Sequence, residues 1–331
     1  MLNVGLLGAG RIGIVHAKAI ASHPQSRLLA ISDYVTQNAQ KLASVYGASV
    51  KTSEDIIADP DIDAVLIASS TDTHADYIEM ATKAGKAVLC EKPVDLDLQR
   101  ARDCLYKANA TGQPVMVGFN RRFDRSFAAM KAAVDAGDIG KPELLAITSF
   151  DPAPPPISYI DVSGGMFRDM TVHDFDMANF IMGELPQSIL AVGSALVDPQ
   201  IGAAGDIDTA VVTLTYKDGR IAVIKNSRRA AYGYDQRVEL LGSTGMLQVK
   251  NEIENTLVAA NAQGITSAKP TYFFLERYMP AYEAEWAAFA EALSTQSALP
   301  VSLEDGVAAL AMAEAAVRSM ATGKAVPLDE I

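Results

Sequence analysis

The chain has 331 residues, 49% of them apolar, with 40 acids against 28 bases and a formal net charge of −12. That length suits two domains of the usual ~100–200 residues, and so acidic a chain lacks the electrostatic footprint of a nucleic-acid binder. No uninterrupted apolar run reaches the ~20 residues that a membrane-crossing helix needs.

The two cysteines, Cys90 and Cys104, suit a reducing compartment and form no metal-ligand pattern, so no metal is expected. The N-terminus enters strand-like sequence at once, without a signal-like stretch, which points to the cytoplasm. Short apolar segments bounded by polar or turn residues fall at 4–7, 28–32, 64–68, 87–90 and 115–118. Such runs read as parallel strands buried on both faces. Helical patterns lie between them at 12–21, 35–46, 74–84 and 98–110. Gly47, Gly85 and Gly112 follow three of these, where a left-handed cap suits glycine. The repetition is βαβ, so an N-terminal doubly wound parallel (Rossmann) sheet is expected over 1–120.

The pattern changes after residue 120. A helix is predicted over 127–136, ended by Gly137, then an irregular stretch at Pro152 and Pro154-Pro155-Pro156, then a helix over 166–182. Strand-like runs follow at 189–197, 209–216, 221–226, 237–241, 246–250 and 256–260. Asp218-Gly219 between two of them is a strong hairpin signal. Alanine-rich helices are predicted over 282–294 and 303–322, the last with Ser302 as N-cap and Gly323 as its end. Residues 121–331 should therefore form an α+β domain with a large, mostly antiparallel open sheet. Val211-Val212 and Ile221-Ala222-Val223-Ile224 are apolar on both parities. Sheet-to-sheet association into a homodimer or homotetramer would cover such a face.

One motif stands out. The first strand runs into Gly8-Ala9-Gly10-Arg11-Ile12-Gly13, spaced G-x-G-x-x-G, and Asp33 closes the second strand. Gly8 permits the tight turn, Gly10 a close approach of a pyrophosphate, and Gly13 tight packing of helix on strand. The phosphates would lie against unpaired N–H groups at the helix start, around Arg11, Ile12 and Gly13. Asp33 can accept hydrogen bonds from both adenosine ribose hydroxyls and repels a 2′-phosphate. No Arg or Lys stands between it and Lys41, so the cofactor reads as NAD rather than NADP.

Two constellations stand where chemistry would need them. Glu91-Lys92-Pro93 directly follows 87–90, and ligands of open α/β sheets bind outside the carboxyl ends of strands. Glu91 is counted with the cofactor residues and Lys92 with the reacting ones, although E-K-P equally suits a surface turn. The second lies in Gly164-Gly165-Met166-Phe167-Arg168-Asp169-Met170-Thr171-Val172-His173-Asp174. Asp169 and His173 are four apart, on one face of a helix. An Asp there orients the imidazole and favours its cation, making His173 a candidate base; spacing alone also allows a plain surface pair. Thr71 and His74 open the helix after the 64–68 strand, either touching the cofactor or capping the helix.

Taken together, the G-A-G-R-I-G start, Glu91-Lys92-Pro93 and Gly164-Gly165…Asp169…His173 resemble the Gfo/Idh/MocA oxidoreductases along essentially the whole chain. Gly118-Phe119-Asn120-Arg121-Arg122-Phe123, His173-Asp174-Phe175-Asp176 and Tyr232-Gly233-Tyr234-Asp235 are most similar to the inositol-dehydrogenase branch. The resemblance implies a homotetramer and NAD-linked oxidation of a secondary hydroxyl on a cyclitol or sugar, myo-inositol to its 2-keto product first. Carried over by motif, Lys92, Asp169 and His173 are catalytic and substrate-facing, with Arg122, Asp151 and Tyr234 near the substrate. Pro154-Pro155-Pro156 beside Asp151 departs from the inositol pattern, which bears on substrate identity more than on reaction type. Another sugar or inositol isomer, a non-catalytic NAD-binding regulator, and an NAD-recycling glycoside hydrolase stay open as alternatives.

Overall fold

The apolar segments of the first 120 residues pair as one parallel sheet. The computed structural model describes residues 1–331, the side chain of Asp161 excepted. Strands β1 (Leu2–Leu7), β2 (Ser26–Ser32), β3 (Ser49–Val50), β4 (Ala64–Ile67), β5 (Ala87–Glu91) and β6 (Val115–Gly118) lie in the order β3-β2-β1-β4-β5-β6. Every pairing is parallel. All residues of β4, β5 and β6 are buried, the reason their sequences run apolar without alternation.

The crossover helices are α1 (Arg11–Ser22), α2 (Thr36–Tyr46), α3 (Ser53–Ala58), α4 (His74–Lys83) and α5 (Leu98–Asn109). Thr52 and Asp97 cap α3 and α5 by accepting the amides of Asp55 and Arg100. Gly47, Gly85 and Gly112 all have positive φ, as their places after helices require. The chain reverses direction across the sheet between β1 and β4, the switch point at which such sheets bind ligands.

Residues Arg125–Tyr278 with Ala311–Ile331 form a second unit, and Met1–Asp124 with Met279–Leu310 the first, so the units are not two consecutive stretches. In the second, α6 (Arg125–Ala136) leads into β7 (Pro142–Phe150), which no sequence signal had marked. After α7 (Ile157–Ser163) comes a π-helical turn, Phe167–Thr171, that runs into α8 (Val172–Met182). The strands β8 (Ser188–Ser194), β9 (Thr209–Thr215), β10 (Ile221–Ser227), β11 (Asp235–Gly242) and β12 (Gly245–Val249) follow, with the short helix α9 (Pro199–Ala203) after β8. A separate hairpin pairs β13 (Val258–Asn261) with β14 (Gly264–Ser267). Helices α10 (Phe274–Thr295) and α11 (Leu303–Thr322) and the edge strand β15 (Val326–Pro327) complete the chain.

The second sheet has the order β12-β11-β7-β10-β9-β8-β15. Only β10 with β7 is parallel; the other pairs are antiparallel. Gly219, at φ +91°, turns the β9–β10 hairpin at the Asp218-Gly219 signal. Its strands alternate buried and exposed residues. Register places Leu190, Val192, Val211, Ile221, Leu144, Leu241 and Met246 on one open face, each at least 40% exposed.

In the first unit, Trp286, Phe289 and Tyr282 of α10 are buried, and the Trp286 indole donates to Ser26 Oγ at 3.0 Å. Ser302 caps α11 reciprocally: its Oγ accepts the Asp305 amide at 3.1 Å, and its own amide donates to Asp305 Oδ2 at 2.8 Å. Cys90 and Cys104 are both buried thiols. Among the described residues, no helix is long and apolar enough to cross a membrane.

Candidate active site and cofactor cradle

The glycine-rich turn links β1 to α1, and its three glycines differ in kind. Gly8 has φ +103°, and a Cβ there would overlap the carbonyl of Ala68. A Cβ on Gly13 would overlap the carbonyl of Gly8. Gly10 has ordinary extended geometry (φ −72°, ψ −166°), and a Cβ would meet nothing within 4 Å. Gly8 and Gly13 are therefore required by the protein's own packing, whereas Gly10 borders open space.

Helix α1 starts there with no side-chain cap and no acid in its first turn. The amides of Arg11, Ile12 and Gly13 thus form the positive end of the helix, with no acid of its own first turn beside them. Asp33 at the end of β2 accepts the Ala9 amide at 2.7 Å through Oδ2 and the Val35 amide at 2.8 Å through Oδ1. A carboxylate offers about four acceptor sites, so ribose hydroxyls still find lone pairs. The cradle fits a dinucleotide: a helix start for phosphate, open space over Gly10, and an anchored acid for ribose.

Glu91-Lys92-Pro93 continues β5, with a cis Lys92–Pro93 bond. Glu91 turns inward, 8% exposed, and its Oε1 lies 2.7 Å from His16 Nε2 on α1. His16 in turn meets the edge of the Tyr282 ring, with centroids 5.3 Å apart. Lys92 is partly exposed and its amide donates to Glu91 Oε2 at 3.3 Å. Behind this group lies Glu285 of α10, fully buried, with neither carboxyl oxygen hydrogen-bonded. Burial pushes its pKa well above the ordinary value, and the charge of Glu91 adds to the shift.

Thr71 is partly exposed at the start of a 3-10 turn, Thr71–Thr73. His74 is buried, its Nδ1 2.8 Å from the Pro93 carbonyl and its Nε2 3.1 Å from that of Ser69. Both ring nitrogens are engaged by backbone, so His74 ties the loop after β4 to the Lys92–Pro93 turn. Neither His74 nitrogen accepts a helix amide, so the capping alternative is set aside, and contact of Thr71 and His74 with the cofactor stands as a proposal. Burial holds the His74 pKa below the ordinary 6.5, against the pull of the two carbonyls. Arg122 pairs with Asp305 at 3.1 Å and donates to the Pro300 carbonyl at 3.2 Å, an anchor inside the first unit.

In the second unit, α7 ends in Gly164 and Gly165, both at positive φ. The chain then enters the π turn that carries Asp169, and His173 follows in the first turn of α8. A single helix was expected over 166–182; the extra residue per turn at Phe167–Thr171 is a feature frequent at functional sites. Asp169 is held on both oxygens. Oδ1 accepts from the Tyr159 hydroxyl at 2.9 Å, and Oδ2 lies 3.4 Å from Arg228 Nη1.

Beneath α8, the Thr171 hydroxyl donates to Asn226 Oδ1 at 2.8 Å, and Asn226 donates to Asp174 at 2.7 Å. This buried chain fixes the helix start to β10. Asp151 follows β7, bonding through its backbone to Ser227 and Ala230. Tyr234 is buried edge-to-face on Tyr278 at 5.9 Å. Tyr159, Asp206 and Arg228 carried no signal in the sequence; the partners of Asp206 and Arg228 lie 40 and 59 positions away, and Tyr159 reaches Asp169 across the Gly164-Gly165 turn.

Such a cradle on a 3-2-1-4-5-6 parallel sheet defines a dinucleotide-binding α/β protein with an acid–histidine turn on its second unit. Residues 2–119 match the oxidoreductase family with NAD-binding Rossmann fold, and residues 127–248 match the GFO/IDH/MocA C-terminal domain. The chain is 48% identical over 324 residues to inositol 2-dehydrogenase of Rhizobium meliloti, covering 98% of each. It is 45% identical to myo-inositol 2-dehydrogenase of Thermotoga maritima, covering 100% of this chain and 99% of that one. A crystal structure of scyllo-inositol dehydrogenase from Lactobacillus casei with bound NAD(H) and scyllo-inositol superposes with a TM-score of 0.92 at 29% identity, covering 99% of both chains. The chain belongs to the Gfo/Idh/MocA oxidoreductase family.

Proposed function

We propose that this protein is an NAD-dependent dehydrogenase oxidising a secondary hydroxyl of a cyclitol, with myo-inositol to 2-keto-myo-inositol as the leading reaction. The observation that carries the proposal is the fit of the Asp33-closed cradle to NAD, in a chain alike from end to end to inositol dehydrogenases. Residues 1–120 hold the cofactor, and 121–331 supply substrate contacts and subunit contacts. The amides at Arg11, Ile12 and Gly13 take the pyrophosphate, and Asp33 takes the ribose.

Bound NAD supplies the hydride acceptor. The remaining work falls to side chains. The hydroxyl must lose a proton as its carbon loses hydride, and the imidazole of His173 takes it. Asp169 orients the ring and stabilises the imidazolium. The ammonium of Lys92 stabilises negative charge growing on the oxygen and polarises the ketone in the reverse direction. Asp151, Tyr234 and Arg122 are the candidates for contacts with the other substrate hydroxyls, Arg122 as a charge held beside Asp305.

The open apolar face of the second sheet supports assembly into a dimer or tetramer through that face. A cytoplasmic setting, where the Cys90 and Cys104 thiols stay reduced, suits this activity. The test is NADH formation with purified protein against a panel of inositol isomers and aldoses, with NAD and NADP in parallel. NADH from an inositol supports the proposal. NADH from none of the inositols overturns the substrate, and a preference for NADP overturns the role of Asp33.

A further inference from the structure

Arg228 follows β10 and is 1% exposed. Its Nη1 and Nη2 lie 3.4 and 3.5 Å from Asp169 Oδ2, and Nη2 lies 3.7 Å from Asp206 Oδ2. These separations are long for hydrogen bonds, so the guanidinium acts on both acids chiefly through its charge. Its backbone is fixed independently: the Arg228 amide donates to the Asp208 carbonyl at 2.8 Å. The Asp208 carboxylate in turn accepts the amides of Leu196, Val197 and Asp198.

Asp206 is also placed with purpose. Its Oδ1 accepts the Met166 amide at 3.0 Å, and a Cβ on Gly165 would stand 2.9 Å from the same oxygen. It therefore grips the entry to the π turn, while Arg228 grips the acid that the turn carries. We propose that Arg228 is a positioning residue for the reaction, its buried charge shared between Asp169 and Asp206 so as to set the pH at which the Asp169–His173 pair releases its proton. This rests on the reading of Asp169 and His173 given above.

The charged and titratable groups around this point come from several elements. Tyr159 of α7 donates to Asp169 Oδ1, and Asp206 stands before β9. Arg168, on the same turn as Asp169, is engaged by Glu314 at 2.5 Å. Asp174 of α8 is bonded to Asn226, and Asp151 lies at the end of β7 beside Ser227. One buried cation thus faces two acids. Removing it strengthens the pair's hold on a proton; removing Asp206 weakens that hold.

The experiment is the pH dependence of kcat for wild type and for Arg228→Gln, Arg228→Lys and Asp206→Asn, with His173→Ala as reference. Arg228→Gln should move the acid limb up by about one pH unit or more, as for loss of an arginine beside a carboxylate. Arg228→Lys, which keeps the charge, should return the limb to its wild-type position. Asp206→Asn keeps an acceptor for the Met166 amide and should move the limb the opposite way, to lower pH. A merely structural role would lower melting temperature without shifts of opposite sign.

Unmoved limbs, or shifts of one sign, with His173→Ala still impaired, overturn the proposal for Arg228 alone. Full activity of His173→Ala overturns the reading beneath it. Should Arg228→Gln not fold, Asp206→Asn decides: a downward shift supports the proposal, and an unchanged profile overturns it.

Discussion

Gly10→Ala separates what the glycine turn does for the fold from what it does for the cofactor. Gly10 already has φ −72° and ψ −166°, which alanine adopts freely, and its new methyl would touch no protein atom. Loss of chain entropy in the unfolded state favours alanine by ~0.4–1 kcal/mol, and the poorer N-cap offsets this by a similar amount. Folding stability should therefore stay within about 1 kcal/mol of wild type. Binding is another matter. The methyl would occupy the space over the α1 amides that a pyrophosphate needs. Losing two hydrogen bonds to a charged group, at ~1.5–3 kcal/mol each, weakens NAD by about 10²–10⁴ in Kd. Isothermal titration with NAD, with thermal melting as the control, reads both quantities. Gly13→Ala is the contrast, since its methyl would overlap the Gly8 carbonyl and should lower the melting temperature as well. A folded Gly10→Ala protein that binds NAD like wild type would refute the argument for the cradle.

His173→Ala should lower kcat by about 10²–10⁴, the value of a positioned base, while the NAD Kd measured by titration changes less than about twofold. Glu285→Gln should stabilise the protein increasingly with pH. The buried acid has its pKa raised, so its contribution is intact below its ordinary value of 4.5 and is lost as pH climbs towards the raised folded value. The variant should gain up to about 1.4 kcal/mol per pH unit over that window, and urea unfolding at pH 5, 6 and 7 with parallel trends for both proteins would contradict this. Val211→Asp puts a charge in the middle of the open sheet face; light scattering should show a smaller assembly, with the far-ultraviolet spectrum unchanged.

The first sheet and its cradle were legible because their determinants are local. Uninterrupted apolar runs, glycines after helices, and a glycine spacing closed by Asp33 lie within a few dozen residues of one another. The N-cap at Ser302 and the Asp218-Gly219 turn were readable for the same reason. Strand β7 was not. It begins at Pro142, which reads as a breaker although a strand tolerates proline at its first residue. Its place between β11 and β10 is fixed by partners 77 to 100 positions away.

The sequence alone determined the parallel sheet and the dinucleotide motif, and it singled out Lys92, Asp169 and His173 as candidates for the chemistry. Tertiary structure alone decided what each touches. It turned His74 onto two backbone carbonyls, Arg122 onto Asp305, and Arg228 onto Asp169 across 59 positions of chain. Propensity and spacing act over a turn or two of helix, whereas the burial of a charge is settled only when distant segments exclude water around it.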